Sequence, residues 1–427
     1  MKTVALILFI ITYVLMILLS DKRPFVALAS AVLYVILGIM PAKNVFSAID
    51  WNVLMMLAGT MGTVALFIES KMPNRLADLI LKKTPNVMWV AVAMSLFAGV
   101  VSAFVDNVAT VLMIAPVGLA ICKKLKISPV PMLLCIAVSS NLQGAATLVG
   151  DTTSIMLGGY AKMDFLDFIF MNGKPSIFWA VELGALATVP VIMLLFRKEK
   201  GKVELHEVTR VENYFPTFLL VATVALLITA SFVPNTPALI NGYICLGLFA
   251  VGLVHSTVRN KGFSSATAAL REIDFKTLLL LGSLFVVIGS LTEAGVIDEI
   301  SALFVRIGGN NLFLMYSLIV WGSVILSAFI DNIPYVATML PVVQGIAGLM
   351  NGGAGFPPEL FYFGLLTGAT LGGNLTPIGA SANIAAIGIL RKQGEQVRTR
   401  DFLRIGIPFT LAAVLTGYVY LWLVWGA

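Results

Sequence analysis

From Val4 to Ser20 the chain carries no charged residue, and the same holds from Phe25 to Ala42 and from Ile405 to Ala427. A helical apolar run of about 20 residues crosses the hydrocarbon core of a bilayer. There every backbone polar group must find its partner inside the protein, so unbroken apolar runs read as helices. Composition agrees: 59% of the 427 residues are hydrophobic and 12% charged, against roughly 25% charged in a soluble domain. The fold class is an all-α polytopic membrane protein. No polar stretch is long enough for a soluble domain.

The opening stretch MKTVALILFIITYVLMILLSDKR looks like a secretory leader but has no small-residue cleavage site before a soluble domain, and it is read as the first span. Cys122, Cys135 and Cys245 are widely spaced, as are His206 and His255, so neither a metal cluster nor a disulfide framework is expected. The net charge of +6 is no sign of nucleic acid, because loop placement explains the basic residues.

The chain repeats itself. Ile49–Asp50–Trp51 and Ile273–Asp274–Phe275 open apolar runs that end at Glu69 and Glu293. SAFVDNVATVLMIAPV, which starts at Ser102, matches SAFIDNIPYVATMLPV from Ser327, setting Pro116 against Pro341. TLVGDTTSI (147–155) matches TPIGASANI (376–384). Three matched blocks in one order predict two repeats, 1–200 and 214–427, joined by a cytoplasmic linker over 201–213. Each repeat has two plain spans (4–20 and 25–42; 215–233 and 238–257) and a third (51–69; 275–293). An apolar block centred on the SAF-DN motif follows (88–122; 312–347), either two full spans or a re-entrant hairpin. A Gly-rich span (131–158; 359–390) and a last plain span (176–196; 405–425) complete it. About five crossings per repeat, an odd number, invert the second repeat relative to the first.

Traced through that topology, one face receives all of the 28 basic residues except Lys2, Lys43, Lys162, Lys174 and Arg306. The rich face is cytoplasmic by the positive-inside rule, with both termini outside and the plasma membrane as location. Asp50 and Asp274 read as interfacial helix caps, and Glu69 and Glu293 as interfacial ends. The amphipathic pieces 74–83, 164–171 and 296–307 read as helices lying at the interface.

Asp106–Asn107 and Asp331–Asn332 interrupt grease. An aspartate at a helix centre costs about 2.5–3.5 kcal/mol on insertion scales. Both residue types cap helices well, yet Ser or Asn alone would cap without a charge. Carboxylate, amide oxygen and the free carbonyls of a helix end form a hard oxygen site suited to Na⁺, or the carboxylate holds a proton. The Gly-rich spans SSNLQGAATLVGDTTS and TGATLGGNLTPIGASAN predict broken helices, which at membrane depth line cavities and build transporter binding sites. Asn141, Thr147, Gly150, Asp151, Thr152, Thr153 and Ser154, with Asn374, Thr376, Gly379, Ser381 and Asn383, are the candidate substrate site. No Lys or Arg falls within this proposed site.

At these residues the chain resembles the ion transporter superfamily, within the group of arsenite permeases, NhaD-type sodium/proton antiporters and the melanosomal P protein. The resemblance covers nearly the whole chain. The SAF-DN blocks look like that group's paired hairpin-tip motifs, and GGNLTPIGASANI is similar to the P-protein form of the second broken helix. Dicarboxylate members carry Ser-Asn-Thr at the tips. Asn107 and Asn332 match; Asp106, Val108, Asp331 and Ile333 do not. The Pro-Pro-Asn of those members is also missing, though Asn383 remains. The resemblance implies a scaffold region, two re-entrant hairpins, two unwound helices, alternating access and a homodimer.

The expected function is ion-coupled secondary transport with no enzyme activity and no cofactor beyond a coupling Na⁺ or H⁺. Asp106, Asn107, Asp331 and Asn332 are the coupling-ion residues, and sodium/proton exchange is favoured. Alternatives are a permease for a small anion or arsenite, sodium-coupled carboxylate transport and a passive channel. An intramembrane aspartyl protease would need Gly-x-Gly-Asp, and the first glycine is replaced by Leu148.

Overall fold

The computed structural model describes residues 1–19, 22–199, 201, 209–234, 236–350 and 355–426. Twenty α-helices run along them. The first ten are α1 Lys2–Leu18, α2 Arg23–Ile36, α3 Val45–Ala48, α4 Trp51–Glu69, α5 Met72–Leu81, α6 Val87–Ser102, α7 Asn107–Leu125, α8 Val130–Gln143, α9 Thr152–Ala161 and α10 Ile177–Phe196. The second ten are α11 Phe215–Ser231, α12 Ile240–Arg259, α13 Ser264–Arg271, α14 Phe275–Glu293, α15 Val296–Gly308, α16 Leu312–Ser327, α17 Asn332–Leu349, α18 Glu359–Gly372, α19 Ser381–Lys392 and α20 Thr399–Trp425. Each of the second ten has a counterpart of the same rank in the first. Seven (α4, α7, α10, α12, α14, α17 and α20) are long and apolar enough to cross a membrane. Most of the expected linker, 202–208, lies outside the described residues.

The helix starts repeat as well, because the capping residues do. Asp50 accepts from the Val53 amide and Asp274 from Lys276 and Thr277. Asn86 accepts from Trp89 and Asn311 from Leu314. Asp106 accepts from Val108 and Ala109, and Asp331 from Ile333. A side-chain cap of this kind satisfies amides that have no partner within the helix, at about 1 kcal/mol each. Four-residue breaks, 103–106 and 328–331, divide the two SAF-DN blocks into helix pairs.

The Gly-rich spans are broken, as expected, and broken identically. A 3-10 turn (Gly144–Ala146; Gly373–Leu375) leads to an extended threonine, Thr147 at φ −129° and Thr376 at φ −126°. The chain re-enters a helix after Asp151 and Ala380, both at φ −141°. In α8 every residue from Met132 to Gln143 is buried, as is every residue from Leu360 to Gly372 in α18. Helices without a polar face belong at the centre of a bundle.

One expected helix is absent. Over 164–171 the chain forms a 3-10 turn (Leu166–Phe168) and then a hairpin pairing Phe170–Met171 with Lys174–Pro175. Asp164 folds back on the Leu166 and Asp167 amides. Asn172 and Gly173 then take positive φ, 52° and 74°, the conformation of a two-residue hairpin turn. The turn chemistry of Asn-Gly overrides the amphipathic spacing. Helices do form at α5 and α15, where the other two pieces were read.

The two sets of ten are interleaved. The main neighbour of α2 is α14, and that of α12 is α4. Asn44 donates to Glu293 (3.2 Å) and Ser265 to Glu69 (2.6 Å). The start of each of α4 and α14 thus lies by the end of the other, and the two run in opposite directions. Backbones touch where α4 crosses α12: a Cβ on Gly59 would lie 2.3 Å from the Cys245 carbonyl carbon. Gly59→Ala is expected to lower stability by about 1–3 kcal/mol through overpacking. Gly247→Ala, on the open face of α12 with nothing near its added methyl, is expected to be neutral or slightly stabilising. Thermal unfolding in detergent separates the two; equal midpoints would refute the close approach.

Candidate functional site

Each break in a helix frees carbonyls at one end and amides at the other. Here two kinds of break meet. Thr147 Oγ1, in the break after α8, donates to the Ala103 carbonyl at the end of α6, and Thr376 Oγ1 does the same to Ala328 after α16. Beside each threonine a glycine presses into a nest of oxygens. A Cβ on Gly150 would lie 2.5, 2.7 and 2.8 Å from the carbonyl oxygens of Gly144, Ser102 and Ala103. At Gly379 the same construction gives 2.7, 2.9 and 3.0 Å to those of Gly373, Ala328 and Ser327. Only glycine brings the backbone so close to three carbonyls.

Amides link the two breaks. Asn107 Nδ2 donates to Asn141 Oδ1 (3.0 Å), and Asn141 Nδ2 donates to Asn374 Oδ1 (3.1 Å) and the Thr370 carbonyl (2.7 Å). Asn374 Nδ2 continues to the Val138 carbonyl (2.9 Å). Thr153 Oγ1 donates to Asp151 (3.0 Å) and lies 3.2 Å from the Thr370 hydroxyl. Ser154 bonds the Gly144 carbonyl (3.3 Å) and Asn383 the Gly373 carbonyl (3.1 Å). The Asn383 Oδ1 atom is buried with no partner among the described residues.

A cavity of about 540 Å³ opens beside this layer. Six of the sequence-derived candidates line it: Asp106, Asn107, Asp151, Thr152, Asn332 and Ser381. Thr147, Thr376, Asn141 and Asn374 instead hold the breaks together, and Thr153, Ser154 and Asn383 brace them from behind. Glu69, Glu272 and Asp274 also line the cavity. The capping role expected of Asp274 holds, but motif reading did not place it by the site. Its hint was the Asp50–Asp274 match, which carries no information about what the caps face. The cavity wall thus holds five carboxylates and, among the described lining residues, no lysine, arginine or histidine.

Asp331 departs from the expectation that no base is near. Its Oδ2 lies 2.6 Å from Arg23 Nη1, with both side chains largely buried. In sequence Arg23 is one of the basic residues of the face expected to be cytoplasmic. Nothing local in the sequence connects residues 308 apart. Among the described residues no three Asp, Glu, His or Cys side chains gather into a metal-binding group. A cation held here would need backbone carbonyls and amide oxygens beside the acids.

Residues 6–368 match the family model described as citrate transporter. An uncharacterized transporter of Mycobacterium tuberculosis is 31% identical over 99% of both chains. The human P protein is 26% identical over 92% of this chain and 56% of its own length. Among solved structures, the YdaH transporter of Alcanivorax borkumensis superposes with a TM-score of 0.58 at 13% identity, covering 89% of this chain and 86% of that one. That likeness shows the fold.

Replacing Asn141 by leucine strands Asn107 Nδ2, Asn374 Oδ1 and the Thr370 carbonyl at once. At about 1–3 kcal/mol for each buried group left unpaired, Asn141→Leu is expected to lower the unfolding midpoint more than any single threonine-to-valine change in the same layer. A wild-type midpoint would show that the amide chain carries no weight.

Proposed function

The chain belongs to the citrate transporter family of the ion transporter superfamily, and from that premise we propose that it is an ion-coupled secondary transporter, with sodium/proton exchange the favoured reaction. It is a multi-pass membrane transporter, as its relatives are named; the coupling is our reading. The supporting observation is the charge of the cavity: five carboxylates and, among the described lining residues, no base on a wall contributed by both repeats. At an effective dielectric of 20, two like charges 4 Å apart repel by about 4 kcal/mol. A free multivalent anion would meet that repulsion several times over, and a cation would meet the reverse.

In this reading Asp106 and Asp151 hold the cation or proton, with Asn107, Asn332, Thr152 and Ser381 as neutral oxygen ligands. Asp331 forms the matching element at the second tip. Alternating access would move the layer of breaks past the cavity wall. The opposite directions of α4 and α14 support an inverted second repeat. The distribution of basic residues supports a cytoplasmic basic face with both termini outside in the plasma membrane, and the family resemblance supports pairing as a homodimer.

A second reading is favoured by the family model's description as a citrate transporter. A carboxylate would then cross together with cations bound by these same acids, since only their charge offsets the wall.

Asp106→Asn and Asp151→Asn are each expected to insert normally and to reduce gradient-driven flux to background in proteoliposomes with an imposed sodium or pH gradient. Wild-type flux in Asp106→Asn would overturn the cation site. Thermal-shift titration of purified protein with Na⁺, with pH, with arsenite and with citrate separates the readings, because a ligand stabilises the state that binds it. Stabilisation by citrate only when sodium is present would favour cotransport over exchange.

A further inference from the structure

The two helix breaks at the SAF-DN motifs share a backbone and differ in charge. At the first, Asp106 caps α7 and faces the acidic cavity, and a second acid, Asp151, lines the same cavity from the neighbouring break. No salt bridge to either is found among the described residues. At the second, Asp331 caps α17 in the same way, but the position of Asp151 is taken by Ala380. Asp331 is bound instead by Arg23 at 2.6 Å. Among the described residues, the first tip with its neighbouring break carries two acids and no base; the second carries one acid and one base.

Arg23 is placed for this role by its own surroundings. It opens α2, immediately before Pro24, and its Nε donates to the Met16 carbonyl in the last turn of α1 (3.2 Å). From α1, Tyr13 Oη donates to the Pro334 carbonyl (2.5 Å) and bonds Thr338. The α1–α2 corner is thereby fastened to the first turns of α17, with the guanidinium against the cap. A guanidinium is always charged and is the cation best suited to a partly buried carboxylate. The counterpart helix, α12, begins at Ile240 with no basic side chain in its first turn and is fixed by Asn52 accepting from the Gly242 amide (2.8 Å).

We propose that Arg23 is a built-in cation that fills the second tip, leaving the Asp106 tip as the one open to ions from solution. The inference rests on the reading of these tips as cation sites and deepens it. A transporter with two matched tips would couple to two ions. This chain supplies one of them covalently, so cation dependence should show a single site. Removing the guanidinium should create a vacancy that a solution cation, or a proton on Asp331, can fill.

The test uses purified full-length protein and the same protein in proteoliposomes, with NaCl exchanged against choline chloride at constant ionic strength. Wild type is expected to show a Hill coefficient of about 1 for sodium in flux and thermal stability. Arg23→Gln is expected to melt lower in choline, to recover on adding sodium or lowering the pH, and to move the sodium Hill coefficient toward about 2. The double variant Arg23→Gln/Asp331→Asn is expected to lose that recovery, because the second acid is gone.

An Arg23→Gln midpoint that neither sodium nor pH restores would overturn the proposal and leave Arg23 as a clamp. Recovery that persists in the double variant would overturn it too. If Arg23→Gln does not fold, Arg23→Ala supplied with low guanidinium takes its place, under the same two criteria. Asp106→Asn alone reads the first tip: loss of the wild-type sodium dependence supports that site. If the wild type has no sodium dependence, the sodium/proton exchange favoured above fails, while the Arg23→Gln comparison still decides the second tip.

Discussion

The structure depends on one requirement: backbone groups released by helix breaks inside an apolar medium must be satisfied by other breaks. An unpaired buried amide or carbonyl costs about 1–3 kcal/mol in a protein, and four breaks release many. The chain resolves this by placing breaks in pairs. The carbonyl end of α6 meets Thr147, the carbonyl end of α16 meets Thr376, and the amide ends of α7 and α17 fold under Asp106 and Asp331. Gly150 and Gly379 exist so that these ends can come close enough. The polar layer that results is a structural necessity before it is a binding site. Its leftover oxygens are the resource a transporter can use.

Much of this was legible because it repeats. The third spans, 51–69 and 275–293, match α4 and α14 residue for residue. The breaks follow from Gly-rich stretches and the caps from Asp and Asn at matched positions. What repetition cannot show is a partner from far along the chain. Arg23 reaches Asp331 across 308 residues, and no periodicity reports that. Glu69 and Glu272 face the cavity only because α13 folds beside the end of α4. The hairpin after α9 escaped for a local reason: its Asn-Gly turn is a stronger signal than the amphipathic spacing before it.

The two halves have kept their backbones and exchanged their charges. Asp151 stands where Ala380 does, and Arg23 has no counterpart at the start of α12. Duplicated frameworks tolerate this because the caps need only an oxygen acceptor, which Asp supplies whether or not a cation sits beside it. Geometry is therefore held in common, while electrostatics is free to diverge between the tips.

The interleaving of α2 with α14 and α12 with α4 bears on how the molecule is made. Domains generally fold N-terminal first during synthesis, but α2 and α4 cannot complete their packing in that order. When α4 enters the bilayer its glycine-lined face has no partner, because α12 has yet to be translated. The same is true of α2 until α14 arrives. Within the first half α6, α7, α8 and α10 pack on one another, but α4 and α2 must wait for their main partners, with Gly59 and Gly62 unmatched until α12 arrives. Docking of α2 and α4 is therefore a late event in which the second half completes the first.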